Sequence, residues 1–262
     1  MIIDGHSHVT FPIGAHIAAM DKAHIDKTIL FSTTLHPETA TKAREVKEAF
    51  LYLNDLLAGK KGSILEARKK AIQELMGAIR QFPNRFVGFG AVPPNLDLNA
   101  TMQFVDEFIR KNSLAGMGEF TLGLGQAHLL ENVFKASREF RNLPIWIHAF
   151  FPLMLDDINK IAKFAKQYPD TDVILGHLGG CNWLETMGLV KEIPNLYLDT
   201  SASYSTFVLG IVINEIPDKC IFGVDSPYGD IFLSKETILK VSRTPEVANA
   251  VLGENISRIL AL

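Results

Sequence analysis

Cysteine is scarce in this sequence: 262 residues include two, Cys181 and Cys220. Two thiols cannot staple a chain of this size, so a disulfide framework is excluded and a reducing environment is expected. Long apolar runs are missing as well. No uninterrupted stretch approaches the ~20 residues of a membrane span, so no membrane partner is expected. The opening MIIDGHSH has neither a basic n-region nor an apolar h-region, and no secretory leader is expected. Together these readings predict a cytoplasmic protein. Positive charge is not in excess, since 26 Lys+Arg face 29 Asp+Glu for a net charge of −3. That balance argues against a polyanion-binding surface, so nucleic acid is not an expected partner. Low-complexity tracts and domain-separating linkers are absent too, which leaves residues 1–262 as a single domain.

What the sequence does contain is alternation. Short apolar, β-branched runs at 2–8, 28–32, 86–92, 115–120, 145–149, 173–177, 196–200 and 220–224 read as buried parallel strands. Stretches with helical spacing lie between them, clearest at 98–111, 127–140, 156–167 and 206–214, and 245–262 reads as one or two short terminal helices. Eight strands separated by helical connections predict an α/β fold, a (β/α)8 TIM barrel. One connection is too long for a βα unit. Residues 33–84 hold two helical stretches, 38–58 and 63–82, broken at Gly59-Lys60-Lys61-Gly62. Such an insertion after strand two rises from the C-terminal face and is expected to cover the barrel mouth.

Chemistry concentrates at the strand ends. In a strand, residues i and i+2 share a face, so His6 and His8 project together, roughly 7 Å apart along the strand. Strand four ends in Glu119, strand five in His148, strand six in His177 and strand eight in Asp225. Any one of these has a plain structural explanation: a satisfied core histidine, or a carboxylate capping the next helix. All six at the C-terminal ends of barrel strands predict a metal site, because buried charges without partners are costly. Imidazole and carboxylate without thiolate suit Zn2+, with Mn2+, Fe2+ or Ni2+ as alternatives and one or two ions. His36, following strand two, and Tyr204, following strand seven, are candidate substrate contacts, as are Asp199 and Ser201. Asp4 is expected to share the face of His6 and orient a ligand from behind. His16 and His24 are expected to pack or face solvent. No arginine adjoins any strand end.

These residues resemble the amidohydrolase superfamily. Phe82-Pro83-Asn84-Arg85-Phe86-Val87-Gly88-Phe89 with Pro93-Pro94, Gly176-His177-Leu178-Gly179-Gly180, Asn195-Leu196-Tyr197-Leu198-Asp199-Thr200-Ser201 and Gly223-Val224-Asp225-Ser226-Pro227 are similar to its amidohydrolase-2 family of metal-dependent hydrolases and decarboxylases. The resemblance implies that His6, His8, His148 and Asp225 surround one metal, with His177 on a second ion or on the substrate. Gly118-Glu119 departs from the mononuclear pattern and is similar to TatD-like deoxyribonucleases, in which such a glutamate bridges two metals. The expected activity is hydrolysis of a small-molecule carbonyl or phosphoryl substrate, with Asp225 and His177 as the catalytic residues. The alternatives are an amidohydrolase-2-type decarboxylase, a TatD-like phosphodiesterase, and a catalytically silent barrel acting as a binding protein. A homodimer is the base-rate expectation.

Overall fold

A computed structural model describes residues 1–57 and 59–262. Eight parallel strands follow one another in spatial order, each paired with the next. They are β1 (Ile3–His8), β2 (Lys27–Phe31), β3 (Phe86–Gly90), β4 (Gly116–Phe120), β5 (Ile145–Ile147), β6 (Val173–Leu175), β7 (Leu196–Asp199) and β8 (Cys220–Ile221). Backbone bonds from Gly5 N to Phe222 O (2.7 Å) and from Val224 N to His6 O (3.1 Å) join the end of β8 to β1 and close the ring. The result is the (β/α)8 barrel that the alternation predicts.

The helices are α1 (Ile13–Ala23), α2 (Ala43–Leu57), α3 (Ile64–Gln81), α4 (Leu98–Phe104), α5 (Glu131–Glu139), α6 (Leu155–Gln167), α7 (Trp183–Glu192), α8 (Thr206–Glu215), α9 (Ile231–Val241), α10 (Pro245–Asn249) and α11 (Asn255–Leu260). A π-helical turn, Val105–Arg110, continues α4. Side-chain caps begin several of them, for example Ser63 on α3 and Asp230 on α9, each satisfying an amide the helix leaves open. None of the described helices is long and apolar enough to cross a membrane. The first insertion helix starts later than the pattern predicts, after a 3-10 turn at Pro37–Thr39. Its expected last residue, Ala58, lies outside the described residues.

Apolar packing forms two cores. A large one sits between the barrel and its helices. A smaller one fills the barrel itself, with Ile3, Phe31, Phe89, Trp146 and Ile174 at its centre. Trp146 meets Phe31 and Phe89 edge-on at centroid distances of 5.2 and 5.7 Å, the geometry aromatic quadrupoles favour. This plug is the floor of the site above it. The insertion is anchored where β3 has no side chain: a Cβ on Gly88 would lie 2.6 Å from Ile79 Cδ1 of α3.

Strands β5, β6 and β8 end two to three residues before the hydrophobic runs do. The chain leaves extended geometry there to aim its polar groups. His177 and Asp225 have φ of 60° and 62°, values uncommon outside glycine.

Candidate metal centre

Two irregularities in the sheet build the site. Pairing of β1 shifts register between Asp4 and Ser7, and pairing of β4 shifts between Met117 and Phe120. In β4, strict alternation would put Glu119 on the same side as Met117, which packs in the outer core. The shift turns Glu119 inward instead. Gly118 makes it feasible: its φ is 145°, and a Cβ there would lie 2.5 Å from the Trp146 carbonyl.

The structure brings six of the predicted residues together at the C-terminal mouth. His6, His8 and Asp225 form one cluster of donor atoms, and Glu119, His148 and His177 form another. Asp225 Oδ1 is 3.2 Å from His8 Nε2 and 4.0 Å from His6 Nε2. Glu119 joins the two groups. Its Oε2 is 3.6 Å from His6 Nε2 and 3.7 Å from His8 Nε2. Its Oε1 is 3.0 Å from His148 Nδ1 and 3.1 Å from His177 Nε2. The facing nitrogens of His148 and His177 are themselves 2.9 Å apart. His6 Nε2 is buried without a hydrogen-bond partner. An orphaned imidazole nitrogen facing two carboxylates suits a divalent cation, as does a carboxylate oxygen among two ring nitrogens.

Behind the donors stands Asp199, fully buried. Its Oδ2 accepts from His6 Nδ1 at 2.8 Å and from Trp146 Nε1 at 2.7 Å. Its Oδ1 accepts from the amides of His177 and Ser201. Sequence reasoning placed Asp199 against substrate; the structure instead makes it the residue that fixes the His6 ring. Fixing Nδ1 as the donor leaves Nε2 free as a ligand. Ser201 Oγ does the same for His177 Nδ1 at 2.9 Å. Asp4 is also placed differently. Since Ile3 belongs to the inner core, Asp4 lies on the other face. Its carboxylate accepts from the amides of His6 and Val224 and from Ser7 Oγ, tying β1 to the end of β8.

The electrostatics are those of a cation site. Burial would push Glu119 up, but the charges of His6 and His148 and hydrogen bonds from His148 and His177 outweigh it and hold the carboxyl well below its usual range. Burial would lower His6, yet the carboxylates of Asp199 and Glu119 raise it well above an ordinary imidazole. The pocket thus holds negative charge that a proton or a metal must balance.

Over the donors opens a cavity of about 830 Å3, lined by Glu119, His148, His177 and Asp225 at its base and by Phe50, Leu53, Leu57 and Arg68 from the insertion. Tyr204 is at the rim, 84% exposed, its ring 5.9 Å from that of Phe150. His36 lies elsewhere. Its two ring nitrogens are each 3.2 Å from a carboxylate, Glu38 and Glu74, and it lines a smaller pocket between α2 and α3. His16 is buried against Phe86, and His24 caps the end of α1. Cys181 is exposed and Cys220 buried, both as free thiols. Helix capping does not explain Asp225, because Asp230 caps α9. Sequence reasoning missed Arg68 and Trp146. The signal for Arg68 was present: it falls on the buried stripe of α3 that continues through Ala71, Ile72, Leu75 and Ala78.

Fold and site together define a barrel with a candidate divalent-metal centre at the C-terminal ends of its strands. The sequence matches the family model described as Amidohydrolase (Amidohydro_2) over residues 3–262, and the chain belongs to that family. No curated protein matches it. Among solved structures, it is similar to 5-carboxyvanillate decarboxylase from Sphingomonas paucimobilis (17% identity, TM-score 0.69, covering 100% of this chain and 99% of that one). It is also similar to 4-oxalomesaconate hydratase from Rhodopseudomonas palustris (15%, TM-score 0.67, 100% and 96%). A third is dihydroxybenzoic acid decarboxylase from Polaromonas sp. JS666 with bound manganese (16%, TM-score 0.67, 100% and 97%). At these identities the likeness is one of fold.

Proposed function

We propose that this protein is a metal-dependent hydrolase of a small organic substrate, with a two-metal centre bridged by Glu119. The observation that carries this reading is the division of Glu119's oxygens, Oε2 toward His6 and His8 and Oε1 toward His148 and His177. His6, His8 and Asp225 would hold one ion, and His148 and His177 the other. Zn2+ fits this donor set, and so does Mn2+. The bound metal would supply Lewis-acid activation of a water and of the electrophile. Asp225, beside His8, accepts the proton of the attacking water and returns it to the leaving group. His177, held by Ser201, is placed to orient the electrophile's oxygen. Phe50, Phe150 and Tyr228 in the cavity wall exclude water and favour a compact organic substrate over a nucleic-acid strand.

Decarboxylation is the second reading. It requires a cation for the substrate's carboxylate, and Arg68 in the cavity wall could meet that need; two of the similar structures are decarboxylases. The test is a screen of the metal-loaded protein against lactones, esters, amides, phosphodiesters and aromatic carboxylates. The expected outcome is hydrolysis of one of the first four classes, abolished by chelator and restored by metal. Release of carbon dioxide from a carboxylate, with no hydrolysis of any class, would replace this reading by the lyase.

A further inference from the structure

The barrel floor carries a polar atom where hydrocarbon alone would fill the space. Ile3, Phe31, Phe89 and Ile174 pack there, and Trp146, fully buried among them, adds an indole N–H. Such a group is costly to bury unless it finds an acceptor. Its acceptor is Asp199 Oδ2 at 2.7 Å, the same oxygen that takes the His6 Nδ1 proton at 2.8 Å. The indole also meets the His6 ring edge-on at a centroid distance of 5.7 Å. Gly118, where β4 turns Glu119 inward, lies against it too: a Cβ there would be 2.9 Å from Trp146 Cβ. One residue of β5 therefore touches a donor on β1, the carboxylate behind it on β7 and the turn in β4.

The donors to Asp199 show what the indole adds. Oδ1 accepts from the amides of His177 and Ser201 and from the Ser201 hydroxyl. These fix one corner of the carboxylate. Oδ2, the corner toward His6, has two lone-pair directions. Trp146 occupies one and leaves the other to His6. With both taken, Oδ2 neither swings about the fixed corner nor accepts a water. The Nδ1 proton of His6 then has one place to go, and Nε2 is the nitrogen that faces the donor cluster.

We propose that Trp146 is a positioning residue of the metal centre and acts through its indole N–H rather than its bulk: it sets the Asp199 carboxylate at the angle that presents His6 Nε2 to the metal. The inference rests on these donors holding metal, and it gives the barrel floor a part in how tightly they do so.

Replacing Trp146 by benzothienylalanine tests it, because that residue keeps the fused ring and exchanges the N–H for sulfur. The sequence has two tryptophans, so a Trp183→Phe background confines the replacement to position 146. Zinc occupancy is followed across a series of zinc–chelator buffers for the native chain, Trp183→Phe, the benzothienylalanine protein and Trp146→Phe. The expected result is that benzothienylalanine raises the free zinc needed for half-occupancy by about fivefold or more, short of the loss of about 10–100-fold expected when Asp199 itself is changed. Trp183→Phe should leave the midpoint where it is, and Trp146→Phe, which lacks the N–H and part of the bulk, should move it at least as far. A purely packing role would lower the melting temperature and leave the zinc midpoint alone, so an unchanged midpoint in the benzothienylalanine protein overturns the proposal. If neither variant folds, the indole proton decides. In Trp183→Phe the remaining indole signal in the proton–nitrogen NMR spectrum is that of Trp146; it should resist solvent exchange and move when zinc is added. A signal that exchanges freely, or that zinc leaves in place, overturns the proposal equally. The two proposals fail separately: Trp146-dependent zinc affinity without hydrolysis of any substrate leaves the positioning role and removes the hydrolase, and hydrolysis with Trp146-independent affinity does the reverse.

Discussion

Asp199 carries more of the site than any residue that would touch the metal. Five groups converge on its two oxygens: the His6 ring, the Trp146 indole, the amides of His177 and Ser201 and the Ser201 hydroxyl. The positive charge of His6 and these bonds hold the carboxyl far below its usual range, despite complete burial. Asp199→Asn keeps the shape but can present an amide to His6 Nδ1, freeing the ring to adopt the wrong tautomer. The expected outcome is a loss of metal affinity of about 10–100-fold, read by competition with a chelator of known affinity, with the far-ultraviolet circular dichroism unchanged. Retention of native affinity would show that the ring is held by packing alone. At this scale, the predicted donors were legible because a charge at the end of an apolar run has no packing explanation. The roles of Asp199 and Asp4 were not, because they depend on a register shift in β1 that follows no pattern in the sequence. Arg68 was legible in principle as a charge on an apolar helical stripe, but nothing in that stripe says that it faces the barrel mouth.

Among the elements, the strands and the insertion were readable from periodicity, and the strand ends were not. The runs at 145–149, 173–177 and 220–224 are continuous in hydrophobicity, but the backbone departs from extended geometry once polar groups must converge on the axis. Helix α9 escaped notice since its pattern, with Phe232 and Leu233 exposed, lacks a clean apolar face. Helix α1 carries a pH-sensitive feature. His16 is buried edge-on against Phe86 with its Nε2 unpartnered, and burial lowers its pKa from 6.5 to about 4. Between those values the unfolded chain takes up a proton that the folded one refuses, so this residue's effect on stability is constant above pH 6.5. Stability falls as pH drops from about 6.5 to 4, by on the order of 3 kcal/mol over the whole interval. Urea titrations from pH 7.5 to 4 should show a shallower decline for His16→Leu than for the native chain. Parallel curves would mean that His16 finds a partner when protonated.

For the whole molecule, the division of labour follows from the barrel's geometry. The aromatic plug beneath His6 makes the ring of strands a rigid platform. Loops at its C-terminal end are free to differ without disturbing that platform. The alternation of strand and helix was enough to predict the architecture, and the strand-end residues were enough to predict which side chains meet at the mouth. The substrate was not readable, since the cavity's shape depends on how α2 and α3 fold over the mouth. Nor does the residue set by itself state how many ions bind. That number depends on Glu119 facing both clusters, which required the inward turn of β4.

The most direct measurement is metal content by elemental analysis of protein purified without chelator, for the native chain and for Glu119→Ala. A two-metal centre bridged by Glu119 predicts close to two ions per chain, falling to one or fewer in the variant. Close to one ion in both proteins would contradict the bridge and leave a mononuclear enzyme. No metal in either, and none taken up on addition, would contradict the metal centre itself.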